Sequence, residues 1–384
     1  MRLRIPGPTP LPPSVLAALS RQVIYHRGAS FKRLLEETAL LLQPLFGAKD
    51  SRPIILSASG TGGLEAALAN TLTQGDKVLV LDNGHWGRRF GRLAACLGAT
   101  VEMIPSLWGQ PADVEALRHR LSASDSGDII AVLVAHNDTF TGAVSDLAEI
   151  GSITRGLPAL LIVDAVSSLG SMRVESDLWG LDVVVSASQK CLMSPPGLSM
   201  VHVSEKAWRR IEALNVRSEY WDLRRAREML DKGQTTFTPS VNLIYALEEA
   251  LKIIHTEGIP ETYARHSNLA DALRSGLSEF GLSLFPLADV ASPSVGVFRT
   301  PVEIDANKVV ELMGDRFETV IAGARRSKID NSVIRLGTMG YCRADDIRLD
   351  VYQLGLVLRD LGVTVDLSLA LNQTEVVLER GRVS

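Results

Sequence analysis

Apolar positions in this chain follow two periods. From residue 53 to about 205, short continuous apolar runs alternate with stretches of helical spacing. The runs predict strands at 53–57, 77–81, 100–104, 128–135, 159–164, 182–187 and 198–203. Helices are predicted between them, at about 64–73, 87–97, 111–121 and 146–155. Runs such as Val183-Val184-Val185 carry no polar face, which predicts a parallel sheet covered on both sides. A helix over roughly 31–46 has an apolar stripe of Phe31, Leu34, Leu35, Leu41, Leu42 and Leu45. The pattern changes after 240. Helices over 241–257 and 260–280 are broken by Gly258-Ile259-Pro260. Strands at about 282–285, 295–300, 319–322 and 333–337 then mix with helices at 305–316 and 344–361.

This alternation predicts an α/β protein: a mainly parallel, seven-stranded sheet in a large domain, followed by a smaller α+β C-terminal domain. The expected divisions are an arm over 1–30, Pro-rich and extended to about 15, a large domain over 31–257 and a small one over 258–384. The apolar tail after Gly362 can pack but predicts nothing specific.

Composition narrows the function classes. A net charge of -4 with no basic face argues against nucleic acid. No uncharged apolar run reaches membrane length, and the N-terminus lacks the apolar core of a signal peptide. Cys96, Cys191 and Cys342 are scattered, without disulfide or zinc spacing, which predicts a reducing, cytoplasmic setting and no metal.

Three segments carry candidate chemistry. Lys190 ends the run Ser186-Ala187-Ser188-Gln189 and precedes the turn Pro195-Pro196-Gly197. An amine at a strand end, if desolvated, is a nucleophile for an aldehyde. A surface lysine after a strand fits that segment equally well. Asp164 is the one carboxylate in Leu160-Leu161-Ile162-Val163-Asp164. Burying it costs several kcal/mol unless it is paired. A protonated ring nitrogen would pair it; a helix cap is the plainer alternative. Ser59-Gly60-Thr61-Gly62-Gly63 joins a strand to a helix, where free N–H groups bind phosphate. Neither a Walker lysine nor the dinucleotide spacing is present. Aldehyde, ring nitrogen and phosphate together describe pyridoxal 5'-phosphate (PLP). Thr139, Asp164 and Lys190 all fall at or just after predicted strand ends, where open α/β sheets bind ligands.

Read with Pro6-Gly7-Pro8-Thr9-Pro10, Asn83-Gly84-His85-Trp86-Gly87, His136-Asn137-Asp138-Thr139, Thr238-Pro239 and Ile334-Arg335-Leu336-Gly337, these segments match a known order. The chain resembles the class V aminotransferases of fold type I, in particular the alanine/serine–glyoxylate aminotransferase group, over almost its whole length. The resemblance implies an amino group moved from a small amino acid or amine to a 2-oxo acid such as glyoxylate or pyruvate, through a Lys190 Schiff base with PLP. It implies that Asp164 keeps the ring nitrogen protonated and that Trp86, expected in a loop, stacks on the ring. Thr139 would lie near the ring hydroxyl. Ser59, Gly60, Thr61, Val166 and Gln189 would complete the cofactor site. It also implies a homodimer with active sites at the subunit interface, where Thr236 and Thr238 reach the neighbour's phosphate and His26-Arg27 lie near the neighbour's site. Arg335 would hold a substrate carboxylate, with Gly7 close by; Arg325 and Arg326 are candidates for a second acidic group.

Departures from the family pattern bear on substrate. Asp138 stands where the family has Glu, Phe140 where it has Ser, and Phe237 where it has Tyr. Phe140 predicts a narrower, more apolar site. Phe237-Thr238-Pro239-Ser240-Val241 with Asp138-Thr139 also resembles the pyridoxamine–pyruvate aminotransferase branch, while the intact Ser59–Gly63 loop favours PLP as a cofactor. Other chemistries on the scaffold are an aminophosphonate aminotransferase, a PLP-dependent lyase or decarboxylase, and a cysteine desulfurase. The last needs a mobile-loop cysteine upstream of the arginine, and Cys342 comes after Arg335.

Overall fold

In a computed structural model the protein is described over residues 1–215, 218–324, 329 and 331–383. Seven strands form the central sheet: Ile54–Leu56 (β1), Lys77–Asp82 (β2), Thr100–Pro105 (β3), Ile129–Ala135 (β4), Leu160–Asp164 (β5), Val183–Ala187 (β6) and Ser199–Val203 (β7). Their order is β1-β7-β6-β5-β4-β2-β3. The pairs β5–β6, β4–β5, β2–β4 and β2–β3 are parallel, whereas β7 runs antiparallel to both β6 and β1. The reversal has a local cause: β6 and β7 are joined by the loop 188–198, with no crossover helix to return the chain. Every residue of β5, β6 and β7 is buried, as their unbroken apolar runs predict. Edge strand β3 is largely exposed.

The helices α1 (Ala29–Leu42), α2 (Gly60–Thr71) and α3 (His85–Cys96) precede Val114–Leu121 and Leu147–Thr154. One buried apolar cluster runs from Val15 to Ile254 and a second from Leu269 to Leu378. The second surrounds a four-stranded antiparallel sheet of Ser283–Leu284 (β8), Val295–Arg299 (β9), Ala322–Gly323 (β10) and Val333–Gly337 (β11), in the order β8-β9-β11-β10. The segment expected to be one strand over 319–322 is divided. Thr319–Val320 pairs with Arg2–Leu3, and Ala322–Gly323 pairs with β11. The N-terminal segment is therefore not a free arm. Arg2–Leu3 joins a small sheet, and Pro13–Leu19 is a helix with proline at its start, where the missing N–H costs nothing. The tail forms the helix Leu367–Val383, with Ala370 and Leu378 in the second cluster. Among the described residues no helix is long and apolar enough to cross a membrane.

Candidate active site

Parallel register sets the site. Ala135 on β4 pairs with Asp164, and Asp164 with Val185 on β6, so β4 and β5 end at one level and β6 two residues beyond it. Beyond those ends lies a cavity of about 300 Å³. Ser59, Gly60, Thr61, Trp86, Thr139, Asp164, Val166, Gln189, Lys190 and Gly7, all expected from sequence, line it.

Lys190 enters through a turn built around Ser188. The Ser188 hydroxyl donates to the Pro195 carbonyl at 2.5 Å and accepts from the Leu198 N–H at 3.3 Å. The Lys190 Nζ donates to the carbonyl of Pro6. Burial pushes this amine below the ordinary lysine range. Gly7 lies against the same side chain. Its φ is +94°, and a Cβ there would come within 2.5 Å of Lys190 Cδ and 2.8 Å of Nζ. The positive φ favours glycine, and a Cβ would push the end of the Lys190 side chain out of this position.

Asp164 is 8% exposed and accepts the Val166 N–H at 2.9 Å. Burial raises its carboxyl to about 6, a rise that the Val166 N–H and the charge of Lys190 oppose. Among the described residues no cation lies within ion-pair distance of it.

Trp86 corrects the sequence reading: it is not in a loop but in the first turn of α3. Its backbone N–H donates to Asp138 at 2.7 Å, and its indole N–H donates to the Thr139 hydroxyl at 2.8 Å. Thr139 thus holds the ring by accepting, and its own hydroxyl hydrogen stays free to donate. The buried Asp138 carboxylate also accepts from the N–H groups of Phe140 and Thr141, at 2.9 and 3.0 Å. One side chain therefore fixes both Trp86 and the 139–141 turn.

Ser59 caps α2: its hydroxyl takes the Gly62 N–H at 3.2 Å and its carbonyl the Gly63 N–H at 3.1 Å. A Cβ on Gly60 would meet Val166 Cγ2 at 2.9 Å and Ala187 Cβ at 3.0 Å, so glycine lets this helix end close on the sheet. The buried Gln189 Oε1, next to Lys190, has no partner among the described residues.

Four expected residues lie elsewhere. Arg335, from β11, does not line the cavity but borders Thr139. Its Nη1 donates to the Thr139 carbonyl at 3.0 Å, and its Nε and Nη2 to the Gly323 carbonyl at 2.9 and 2.6 Å. Burial lowers the guanidinium to about 10, and Asp138 opposes that fall from a distance. Phe140, expected to narrow the site, stacks between His85, at 4.2 Å between centroids, and the Arg335 guanidinium, 4.1 Å from the ring. Thr236 and Thr238 line a separate cavity with Tyr220 and Phe237, whose rings stack at 5.1 Å. Arg27 holds this segment, donating to Gln234 at 2.8 Å and to the Thr235 carbonyl at 3.0 Å. Arg325 and Arg326 fall outside the described residues. His136 does not line the cavity; it is fully buried, and burial pushes its imidazole down to about 4.

Sequence reasoning missed Arg89, Asn137 and Ser167, which also line the cavity. Helical spacing could have found Arg89, three residues after Trp86 and so on the same face. Asn137 and Ser167 meet only in three dimensions: the Asn137 amide donates to the Ser167 carbonyl and hydroxyl, both at 3.1 Å.

The family model for class-V aminotransferases matches residues 3–348. The soluble hydrogenase 42 kDa subunit of Anabaena cylindrica is 38% identical over 363 residues, covering 94% of each chain. The L-aspartate–glyoxylate aminotransferase of Paracoccus denitrificans is 32% identical, over 94% of this chain and 92% of its own. The crystal structure of pyridoxamine–pyruvate aminotransferase from Mesorhizobium loti superposes with a TM-score of 0.92 at 29% identity, over 99% of this chain and 97% of that one. With the fold and the lysine-bearing cavity described above, these matches show that the chain belongs to the class-V aminotransferase family and is a transaminase of fold type I.

Proposed function

We propose that the cavity holds PLP on Lys190 and that the protein passes an amino group from a small amino acid or amine to a 2-oxo acid such as glyoxylate or pyruvate. The observation that carries this reading is a desolvated amine and a desolvated carboxylate facing one cavity, neither with an ion partner in contact. PLP fits them: its aldehyde takes up an amino group and its protonated ring draws off the electron pair left at the α-carbon. Asp164 balances the ring nitrogen's charge and regains the partner its burial lacks. Trp86 stacks on the ring, its plane fixed by Thr139 and Asp138. Gly60, Thr61 and Gln189 face the phosphate. Val166 packs beside Gly60 and fixes Asp164 through its N–H.

Lys190, with its proton affinity lowered by burial, would be the base that takes the proton from the substrate α-carbon and the acid that gives it back within the site. The Pro6 carbonyl gives the amine an acceptor whenever it is not bonded to the cofactor. Arg335 uses three of its five N–H groups on carbonyls, which leaves one on each terminal nitrogen for a substrate carboxylate. The glyoxylate named for the Paracoccus relative and the pyruvate named for the Mesorhizobium structure support a 2-oxo acid acceptor.

The division at 30 and 257 belongs to the same proposal, as do a homodimer and a cytoplasmic setting. Thr236 and Thr238 lie in a different cavity from Lys190 of their own chain. A contact with phosphate would therefore be made in a partner's site. Exposed Tyr25, Tyr220 and Phe237 support a covering partner there.

The test is reductive trapping. Borohydride treatment of the PLP-loaded protein should fix the cofactor on Lys190, located by peptide mass mapping. An adduct on another lysine would remove this assignment. A panel of amines and amino acids, followed at the cofactor absorbance band, then identifies the donor.

A further inference from the structure

Arg89 is the one cation besides Lys190 among the residues that line the cavity. It sits one turn after Trp86 on α3, with its guanidinium 5.3 Å from the indole centroid. Its Nη2 donates to the Thr61 hydroxyl at 2.9 Å. Thr61 is the second residue of α2, at the end where Ser59 occupies the N–H groups of Gly62 and Gly63. The N–H groups of Gly60 and Thr61 are then the ones left for an anion. The contrast with the preceding residue is informative. Arg88 forms an ion pair with Asp82 at 2.7 Å, whereas Arg89 has no carboxylate within ion-pair distance among the described residues. Stacking on Trp86 and bonding to Thr61 orient this charge without neutralising it.

We propose that Arg89 is the residue that neutralises the phosphate of the bound cofactor, acting across Thr61 on a dianion seated at the start of α2. No other lysine or arginine lines that end of the cavity. A helix terminus offers only partial charge, so a phosphate dianion there needs a full cation nearby. This inference rests on the PLP reading above, and it assigns the neutralising charge to a residue that the Trp86 segment and the Ser59–Gly63 loop do not identify separately.

The experiment compares two probes on the apo protein by equilibrium titration: PLP, and pyridoxal, which lacks the phosphate. Arg89→Gln should weaken PLP binding by about ten- to a hundredfold, the value of a charged hydrogen bond. Pyridoxal binding should stay within about twofold, a change near RT. Arg89→Lys should recover part of the PLP affinity and leave pyridoxal unaffected. Inorganic phosphate should compete with PLP in the wild type and lose that ability in Arg89→Gln. Equal losses for PLP and pyridoxal would overturn the proposal and make Arg89 only a support for Trp86. Unchanged PLP affinity would overturn it as well. If the wild type takes up neither probe, the cofactor reading itself fails and takes this assignment with it.

Discussion

Asp164 and Asp350 are both buried, and they are treated in opposite ways. Asp350, on the helix Ala344–Asp360, is fully buried against two arginines of the N-terminal segment: Arg4 Nε at 2.6 Å and Arg2 Nη2 at 3.2 Å. Its charge holds the Arg4 guanidinium above its ordinary range, while burial raises its own carboxyl and the two arginines oppose that rise. Asp164 has one backbone N–H and an open cavity. Desolvating either carboxylate costs several kcal/mol. In the first place the protein supplies the compensation itself, and the result is a clasp. In the second the carboxylate is left facing an open cavity. Lys190 and Arg89 also face that cavity without a carboxylate in contact among the described residues, and Arg335 borders its Thr139 wall. A buried charge by itself says little about function; a buried charge whose partner is missing says more.

The comparison breaks most directly at Asp350. Asp350→Ala should destabilise the protein by about 3–5 kcal/mol, because Arg4 would be left buried and unpaired. Denaturant unfolding measures it, and a loss under about 1 kcal/mol would deny the clasp its role.

Asp164→Asn should behave in the opposite sense. Turnover should fall about a hundred- to a thousandfold, since an amide cannot balance a ring cation. The apo protein should lose no stability. The sign follows from linkage. The Asp164 carboxyl lies at about 6 in the fold, above its ordinary value of 3.8. The folding advantage of its protonated form is full below 3.8 and is lost as pH rises through about 6. The variant should therefore gain on the wild-type apo protein between pH 4 and 7, by up to about 3 kcal/mol, and level off above that. Thermal melts across that range would show it. Near-normal turnover would make Asp164 a structural residue.

Arg335 sharpens the comparison as a buried cation. Arg335→Ala should lower kcat/KM by about ten- to a hundredfold for amino acids and 2-oxo acids alike, each losing a charged contact. Normal KM values for both would mean that no carboxylate binds there, and would favour an aminophosphonate or a plain amine. The smallest effect is expected at Phe140, whose ring lies over the Arg335 guanidinium. Phe140→Ser should raise KM for carboxylate donors about two- to fivefold, the worth of one cation–π contact. A larger change in the order of preferred donors would place the ring against substrate instead.

Much of this was legible in the chain. Every strand of the central sheet is legible within about two residues, the inner ones because fully buried strands leave unbroken apolar runs. Lys190, Asp164 and the Ser59–Gly63 loop were visible for a related reason. They are polar residues set where apolar pattern stops, at strand ends. Trp86 reads as a loop residue because Asn83-Gly84 reads as a turn, yet α3 starts at His85 directly after it, with Gly84 at φ +155° beside Asp138. The divided strand near 320 was missed because its first half pairs with Arg2–Leu3, at the other end of the sequence.

By itself, then, the sequence determined the α/β sheet, the family, and the lysine, carboxylate and helix start that line one cavity. These depend on local periodicity and on residue types whose burial is costly. Tertiary structure decided which charges have partners. It brought Asp350 to Arg4, the Pro6 carbonyl to Lys190, Phe140 to Arg335 and Thr61 to Arg89. It also set Gly7 against Lys190, where a single Cβ would block the side chain. Pairing across a fold depends on distances between residues far apart in the chain, and periodicity carries no record of those distances.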